Sequence, residues 1–264
     1  MIIAVGVPLA GLDSTHATAY GPPPLPFTPL DESLAEVVKD AQARLEEDAT
    51  GVGSADRESA SNGWFAQISG NATEDALTAI EPQNRRVAWS EDLSGHETVT
   101  AGMPYLPDGT PVADPTPAPG SILWETTYEA GEFPAPFRGV PADDPTMLAP
   151  LLTGDAGGPA DAINGITALL NAWTVPNATH AAFLDLITGA GEMTVEGTTT
   201  DRAGRPAIGL RATSDTTPWF DVIVLMSADS GRIIGVEEIY TGFKDQLAIP
   251  PGTVTSYTIW ETTP

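Results

Sequence analysis

The sequence predicts an α+β fold in which helices cover an antiparallel β-sheet. Three observations favour this class. Apolar runs in the last third of the chain alternate with charged, Gly-containing turns, which is typical of β-hairpins. Three stretches elsewhere carry apolar residues at helical spacing. The 264 residues include 26 Gly and 25 Pro, so turns and extended connections are frequent. We expect one domain over residues 31–264, preceded by a separate segment over residues 1–30.

The charge balance restricts the class of partner. The chain has 11 Lys and Arg residues against 36 Asp and Glu residues, a formal net charge of −25. A polyanionic phosphate backbone would be repelled, so nucleic acid is excluded as a partner. Such an acidic surface fits a salty or extracytoplasmic setting, where salt screens the self-repulsion over roughly 8 to 10 Å. Cysteine is absent, which removes disulfides and thiolate sites and leaves the redox compartment open.

The amino-terminal segment is apolar but short. Residues Met1–Leu12 carry no charge, whereas a membrane-spanning helix needs about 20 apolar residues. One hypothesis is that this stretch is the remnant of a membrane anchor or signal whose beginning lies upstream, which would give membrane proximity. The alternative is a buried amino-terminal strand. Ala19–Pro29 is rich in proline and predicts an extended linker.

The first half of the domain predicts one helix and four strands. Asp31 is expected to cap a helix that ends near Glu47, with an apolar face formed by Leu34, Val37, Val38, Ala41 and Leu45. A polar loop is predicted over Thr50–Gly63, and a proline-rich excursion over Met103–Gly120. The strands are predicted to begin at Trp64, Arg85, His96 and Ser121. On the fourth strand, Ile122, Trp124, Thr126 and Tyr128 should share one side.

The second half predicts two helices followed by five strands. An irregular stretch, Glu129–Pro150, precedes helices over Ala160–Trp173 and Thr179–Thr188. The strands are EMTVEGTTT, PAIGLRA, WFDVIVLM, RIIGVEEIY and TVTSYTIW. Because WFDVIVLM is apolar on both faces, we expect it to be a central strand that is covered twice.

Two hairpin turns in this region contain a glycine and charged residues. Gly204 and Gly231 stand where hairpin loops need a positive φ. Asp201, Arg202 and Arg205 could form a charged recognition patch, but we predict solvated turn residues with a surface ion pair worth under about 1 kcal/mol.

This region also carries a family resemblance. The run Asp201–Pro206, the apolar strand after it and LMSADSGRIIGVEEIY resemble the carboxyl half of actinobacterial envelope proteins with a LolA/RseB-like domain, and the likeness extends over Pro145–Pro264. The resemblance implies a curved antiparallel sheet, an open half-barrel, with helices packed in its concave face. It also implies a lipoprotein-carrier or envelope-sensor function.

Catalytic motifs are scarce. His16, His96 and His180 are far apart in the sequence, and HETVT at His96 lacks the second histidine of a zinc-binding helix. Neither a G-x-S-x-G elbow nor a phosphate-binding G-x-x-x-x-G-K motif occurs. We predict a protein that is not an enzyme, with no catalytic residue, no metal site and no cofactor.

Four isolated polar residues have structural interpretations. We expect Asp143 and Asp144 to form a solvated turn before Pro145. We expect His180 to be an exposed polar residue, and Asn177 to cap the second of the two paired helices.

A binding function requires a large apolar surface, which the inner side of the sheet and the helix faces can supply. The candidate ligand-binding residues are Leu34, Val38, Trp124, Leu169, Trp173, Phe183, Val222, Val224 and Met226. An acyl chain of about 14 carbons could offset the displaced helix contacts, at roughly 0.8 kcal/mol per buried CH₂.

Three functions remain open at this stage. The first is an extracytoplasmic carrier or binder of lipid or lipoprotein acyl chains, which predicts a deep apolar cavity. The second is an envelope sensor or anti-sigma-associated domain that acts through an envelope protein partner, which predicts a filled core with an exposed patch. The third is a hydrolase, which predicts histidines and carboxylates that converge.

Overall fold

The computed structural model describes residues 21–48, 53–66, 79–153, 157–214, 217–242 and 250–261. Met1–Leu12 and His16 lie outside them. The described helices are α1 (Leu34–Glu47), α2 (Pro145–Leu152), α3 (Pro159–Leu170) and α4 (Asn177–Gly189). The described strands are β1 (Glu58–Phe65), β2 (Gln83–Trp89), β3 (Gly95–Ala101), β4 (Ile122–Tyr128), β5 (Thr194–Thr200), β6 (Pro206–Thr213), β7 (Phe220–Ser227), β8 (Ile233–Tyr240) and β9 (Thr253–Trp260).

The strands form one open antiparallel sheet in the order β4-β3-β2-β1-β9-β8-β7-β6-β5. Two meanders, β1–β4 and β5–β9, are joined where β1 pairs with β9. Because β4 and β5 do not pair with each other, the sheet does not close into a barrel. The predicted α+β class, an unclosed antiparallel sheet with helices on one face, is confirmed.

The helices lie over one face of the sheet. α3 contacts β6 and β7, while α2 packs on α3 and α4, and α1 packs on α4. Their buried side chains merge with those of the facing strands into one cluster, which we call the inner core. The inner core includes Val222, Val224 and Met226 of β7.

The opposite face carries a second cluster, the outer core, which includes Ile223 and Leu225 of β7. The prediction that β7 is covered on both faces is therefore confirmed. The proline-rich stretch that precedes α1 provides part of this cover, since Phe27 packs against the outer core and its ring leaves no room for a side chain at Gly209. From Gly21 onward, the predicted linker is extended but lies on the sheet. The domain division at residue 30 stays a prediction.

Three predicted element bounds were wrong. Ser33, not Asp31, caps α1, and its backbone N–H donates to the Glu36 carboxylate at 2.8 Å in a capping box. β1 begins at Glu58 inside the predicted polar loop. Its inward residue Ser59 donates to the Leu170 carbonyl at 2.6 Å, so a polar side chain takes an inward position without an unsatisfied group.

α2 is the third difference, because the sequence predicts irregular structure there. Asp144 caps it by accepting the Thr146 N–H at 2.8 Å, and Pro145 takes the first helical turn, where its missing N–H costs nothing. Asp144 is thus the cap of a helix that the sequence analysis did not predict.

Candidate apolar ligand site

The inner core gathers most of the predicted ligand-binding residues. Seven of them, Val38, Leu169, Trp173, Phe183, Val222, Val224 and Met226, are buried members of the cluster, and Leu34 packs against its edge. Trp124 lies elsewhere, because it belongs to the edge strand β4 and is 45 % exposed. Whether any of these residues binds a ligand stays a prediction.

Side chains fill the space between the helices and the sheet. A pocket of about 40 Å³, partly open to solvent, lies beside Trp173, His180, Arg232 and Trp260. That volume suits a few water molecules, whereas sites for small organic ligands run to about 300 Å³ or more. An acyl chain could enter only by displacing part of the helix layer.

Three of the four helices are held to the rest of the protein by polar contacts. The Asn177 side chain, at the start of α4, donates to the Leu45 carbonyl of α1 and to the Asp48 carbonyl, both at 2.9 Å. It accepts from Arg232 Nε at 2.7 Å, and Arg232 also contacts the Asp48 carboxylate at 2.7 Å. This set, which we call the Asp48–Asn177–Arg232 clamp, joins α1 and α4 to the hairpin before β8. The prediction that Asn177 caps α4 was wrong, since Pro176 occupies the cap.

The clamp adjoins a buried histidine. The prediction that His180 is exposed was wrong: its ring packs edge-on against Phe183 at 6.0 Å, and Nδ1 lies 3.3 Å from the Ile233 N–H that donates to it. Burial, and then the nearby Arg232 charge, lower the pKa of His180 to about 3. A neutral imidazole therefore joins α4 to the sheet.

The carboxyl end of α3 is held in a similar way. Ser59 of β1 donates to Leu170, and Arg85 of β2 donates to the Asn171 carbonyl. The indole N–H of Trp260 donates to the Asn171 side chain at 3.0 Å.

Trp173, which follows α3, is also fixed. Its indole N–H donates to the Phe137 carbonyl at 3.1 Å, and its ring meets Trp89 edge-on at 5.1 Å. The Arg57 guanidinium lies over both rings, at 5.3 Å from Trp89 and 5.1 Å from Trp173. Trp173 is therefore a rigid wall of the site.

α2 differs from the other helices. Among the described side chains, no hydrogen bond or ion pair joins α2 to another element; Leu148 and Leu152 hold it by apolar contact. Its solvent-facing surface carries apolar side chains too, because Met147 is 63 % exposed and Leu151 52 % exposed. Gly165 of α3 lets the two helices approach so closely that a Cβ there would overlap the Leu152 backbone. α2 is thus an apolar cover with no polar fastening.

The charged residues of the Asp201–Pro206 turn make buried or half-buried contacts with the sheet. The prediction that Asp201, Arg202 and Arg205 are solvated was therefore wrong. The buried Asp201 carboxylate accepts the backbone N–H groups of Ala203 and Arg205 at 2.9 and 2.8 Å and contacts the Arg205 guanidinium at 2.7 Å. Arg205 also donates to the Trp260 carbonyl at 2.8 Å. The positive φ predicted for Gly204 and Gly231 is confirmed, at 82° and 77°.

Arg202 of the same turn reaches the outer core. Its guanidinium contacts the buried Glu237 carboxylate at 2.6 Å and lies 4.8 Å from the Tyr257 ring centre. Burial raises the pKa of Glu237, although the Arg202 charge opposes that shift. The charged side chains of Asp201, Arg202 and Arg205 therefore stabilise the turn and its contacts with the sheet.

Catalytic groups do not converge within the described part of the chain. No three His, Asp or Glu residues there are placed to hold a metal ion. His96 of β3 contacts Glu125 of β4 at 3.0 Å on an exposed surface, far along the sheet order from His180 beside β8. The absence of catalytic residues and of a cofactor stays a prediction.

None of the helices within the described ranges is both long and apolar enough to cross a bilayer.

Comparison with known proteins found distant structural likeness only. No family model matches the chain, and no curated protein matches it. The crystal structure of MucB in complex with MucA(peri) is similar at 13% sequence identity with a TM-score of 0.32, over 84% of this chain and 53% of that one. The crystal structure of MucB is similar at 12% identity with a TM-score of 0.31, over 86% and 59%. The chain spans a little over half the length of these two proteins.

Proposed function

We propose that this protein is a non-enzymatic, extracytoplasmic binder of apolar ligands such as lipid or lipoprotein acyl chains. The ligand enters where α2 lies and takes the place of Leu148 and Leu152 against α3 and α4, above the β7 wall. The observation that carries the proposal is that α2 covers the inner core by apolar contact and exposes further apolar side chains to solvent, and that within the described residues no hydrogen bond or ion pair joins it to another element. Met1–Leu12, as the remnant of an anchor or signal, would hold the domain near the membrane.

The energy balance favours such an exchange. Exposing Leu148 and Leu152 costs about 3 to 6 kcal/mol, at roughly 1.5 to 3 kcal/mol per side chain. Burying an acyl chain of about 14 carbons returns about 11 kcal/mol on the same scale. The difference between these two free energies must exceed the entropy that the ligand loses on binding. Lifting α3 or α4 instead would also break the polar contacts of Asn171 or the Asp48–Asn177–Arg232 clamp.

The experiment uses Gly165→Ala to push α2 away from α3. The probe is a fluorescent fatty acid of about 14 carbons, titrated into the full chain. Because the added methyl group overlaps the Leu152 backbone, we expect the variant to bind the probe several-fold more tightly than the wild type. Gly189→Ala is the matched control, since a Cβ there meets nothing within 4 Å.

A second measurement keeps the test decisive if Gly165→Ala lowers stability. Native mass spectrometry of the wild-type protein, extracted gently from lipid-rich cells, should show a bound lipid mass. Leu148→Ala enlarges the space under α2 without pushing the helix and should also tighten probe binding. If neither variant binds the probe and the wild type yields only the apo mass, the proposal fails.

A filled core is also what a protein-contact function predicts, so an envelope sensor or anti-sigma-associated domain is the second candidate. The feature that favours it is the inner core itself, in which the apolar side chains of the helices and the sheet pack on one another. A clean apo mass together with capture of an envelope protein would support this candidate over the first. Converging catalytic groups would be needed for a hydrolase, and no observation favours that function.

A further inference from the structure

The two edge strands of the sheet, β5 and β4, differ in whether another segment pairs with their outer side. At the β5 edge, Thr28 and Thr198 exchange both backbone hydrogen bonds, at 2.8 and 2.9 Å. The chain's own extended segment therefore occupies that edge. At the β4 edge, the only backbone ladder formed by Ile122–Tyr128 in the described part of the chain is the one with β3. β4 consequently presents a row of backbone N–H and C=O groups to solvent.

Apolar side chains of β4 are exposed at this edge. Ile122 is 61 % exposed and Leu123 37 % exposed, and Trp124 follows them. Exposed edges are normally blocked by lysine, proline, a bulge that turns the strand away or short length. β4 runs for seven residues without Lys or Pro. Its register shift leaves Leu123 without a partner on β3, and from Trp124 to Tyr128 the strand pairs without a further shift.

The charged side chains of β4 and of the two connections that flank it are all acidic. From Met103 to Glu132 the chain carries five carboxylates, those of Asp108, Asp114, Glu125, Glu129 and Glu132, and no Lys, Arg or His. Glu125 lies at the centre of β4, where its carboxylate contacts His96 of the neighbouring strand. The free edge and both connections that flank it are thus acidic.

We propose that β4 binds an extended, cationic segment of a partner protein, which adds to the sheet as a tenth strand. Backbone hydrogen bonds would supply affinity, Leu123 and Trp124 would contact apolar residues of the segment, and the carboxylates would select Lys or Arg. A second copy of this chain fits poorly. In full antiparallel pairing of two β4 strands, Glu125 would face its own copy, and like charges directly opposite are destabilising. The proposal does not depend on the apolar ligand site.

The test uses two labelled synthetic peptides of about nine residues, one alternating Lys with Val and the other alternating Glu with Val. Fluorescence anisotropy with the full chain should show binding of the Lys peptide, weakening as salt is added, and no binding of the Glu peptide. Hydrogen exchange should slow at the amides of β4 when the Lys peptide is bound.

Matched variants locate the site. Leu123→Lys combined with Glu125→Lys should weaken binding of the Lys peptide about tenfold, because it reverses cross-strand pairs worth up to about 1 kcal/mol each. Asp229→Lys changes charge in the same direction in the exposed β7–β8 turn, whose strands lie five and six positions from β4 in the sheet order, and should leave the affinity unchanged.

Four outcomes would overturn the proposal. These are equal binding of the two peptides, exchange protection away from β4, equal weakening by the β4 variant and by Asp229→Lys, and self-association of the chain through β4. The last outcome would identify a second copy as the occupant.

Discussion

The buried His180 makes the stability of this protein depend on pH. In the folded state its pKa is about 3, whereas an unfolded chain gives about 6.5. Below pH 6.5 the unfolded state therefore binds a proton that the native state does not. By linkage, the stability held above pH 6.5 is lost progressively as the pH falls toward 3, at about 1.4 kcal/mol per pH unit. Between pH 6.5 and 4.5 the loss from this group is roughly 2 kcal/mol.

The informative perturbation is His180→Asn. The asparagine side-chain oxygen sits near the position of Nδ1, so it can still accept the Ile233 N–H, but it does not titrate. The variant will lose some packing against Phe183 at every pH. The expected signature is therefore not the absolute loss but its pH dependence: the gap between the two proteins should narrow by roughly 2 kcal/mol from pH 6.5 to pH 4.5.

The assay is urea unfolding followed by tryptophan fluorescence at closely spaced pH values. Titrating carboxylates change the stability of both proteins in parallel, so they cancel in the difference. Leu148→Ala is the control, because it removes packing in the inner core without removing a titrating group, and its curve should run parallel to the wild type. If the His180→Asn and wild-type curves are also parallel, the reasoning that a neutral, desolvated imidazole joins α4 to the sheet is wrong.

Two further substitutions test the contacts of the Asp201–Pro206 turn and of the segment that pairs with β5. Asp201→Ala leaves the Arg205 guanidinium without its carboxylate and two turn N–H groups without their acceptor, so unfolding by urea should show a loss of about 3 kcal/mol; a loss under 1 kcal/mol would mean that the turn is solvated after all. Gly197→Ala places a side chain on the Thr28 backbone at a φ of 120°, so limited proteolysis should cut the Gly21–Leu30 segment faster than in the wild type, while unchanged cleavage would show that this segment is not held at the β5 edge.

Most strands were predictable because alternating apolar residues and hairpin turns are local signals. The first half of β1 was not, since its inward-facing Ser59 bonds to a helix end that lies 111 residues away. Local sequence carries no sign of that partner. α2 was missed for a different reason. Pro145 at its start and Pro150 within it suggested irregular structure, yet Pro145 suits the first turn of a helix.

The site was predictable in composition but not in arrangement. Helical spacing identified apolar faces such as Leu169 and Phe183, and the structure places them in one core. The same reasoning misplaced Trp124, because a strand pattern shows which residues share a side but not whether the strand lies at an edge. The burial of Asp201 and His180 was equally hidden, since it depends on elements distant in sequence that pack above them.

The polar contacts are unevenly distributed among the helices, so the free energy needed to detach α2 is lower than that needed to detach α1, α3 or α4. α1, α3 and α4 are joined to each other or to the sheet by hydrogen bonds and ion pairs that a rigid-body movement would break together. α2 is held by Leu148 and Leu152, whose exposure costs about 3 to 6 kcal/mol. A local opening of that size is smaller than the stability of many domains, so α2 can lift while the sheet stays folded. Hydrogen exchange should therefore show α2 amides opening before those of β7, and exchange of both at one common rate would mean that α2 moves only when the whole domain unfolds.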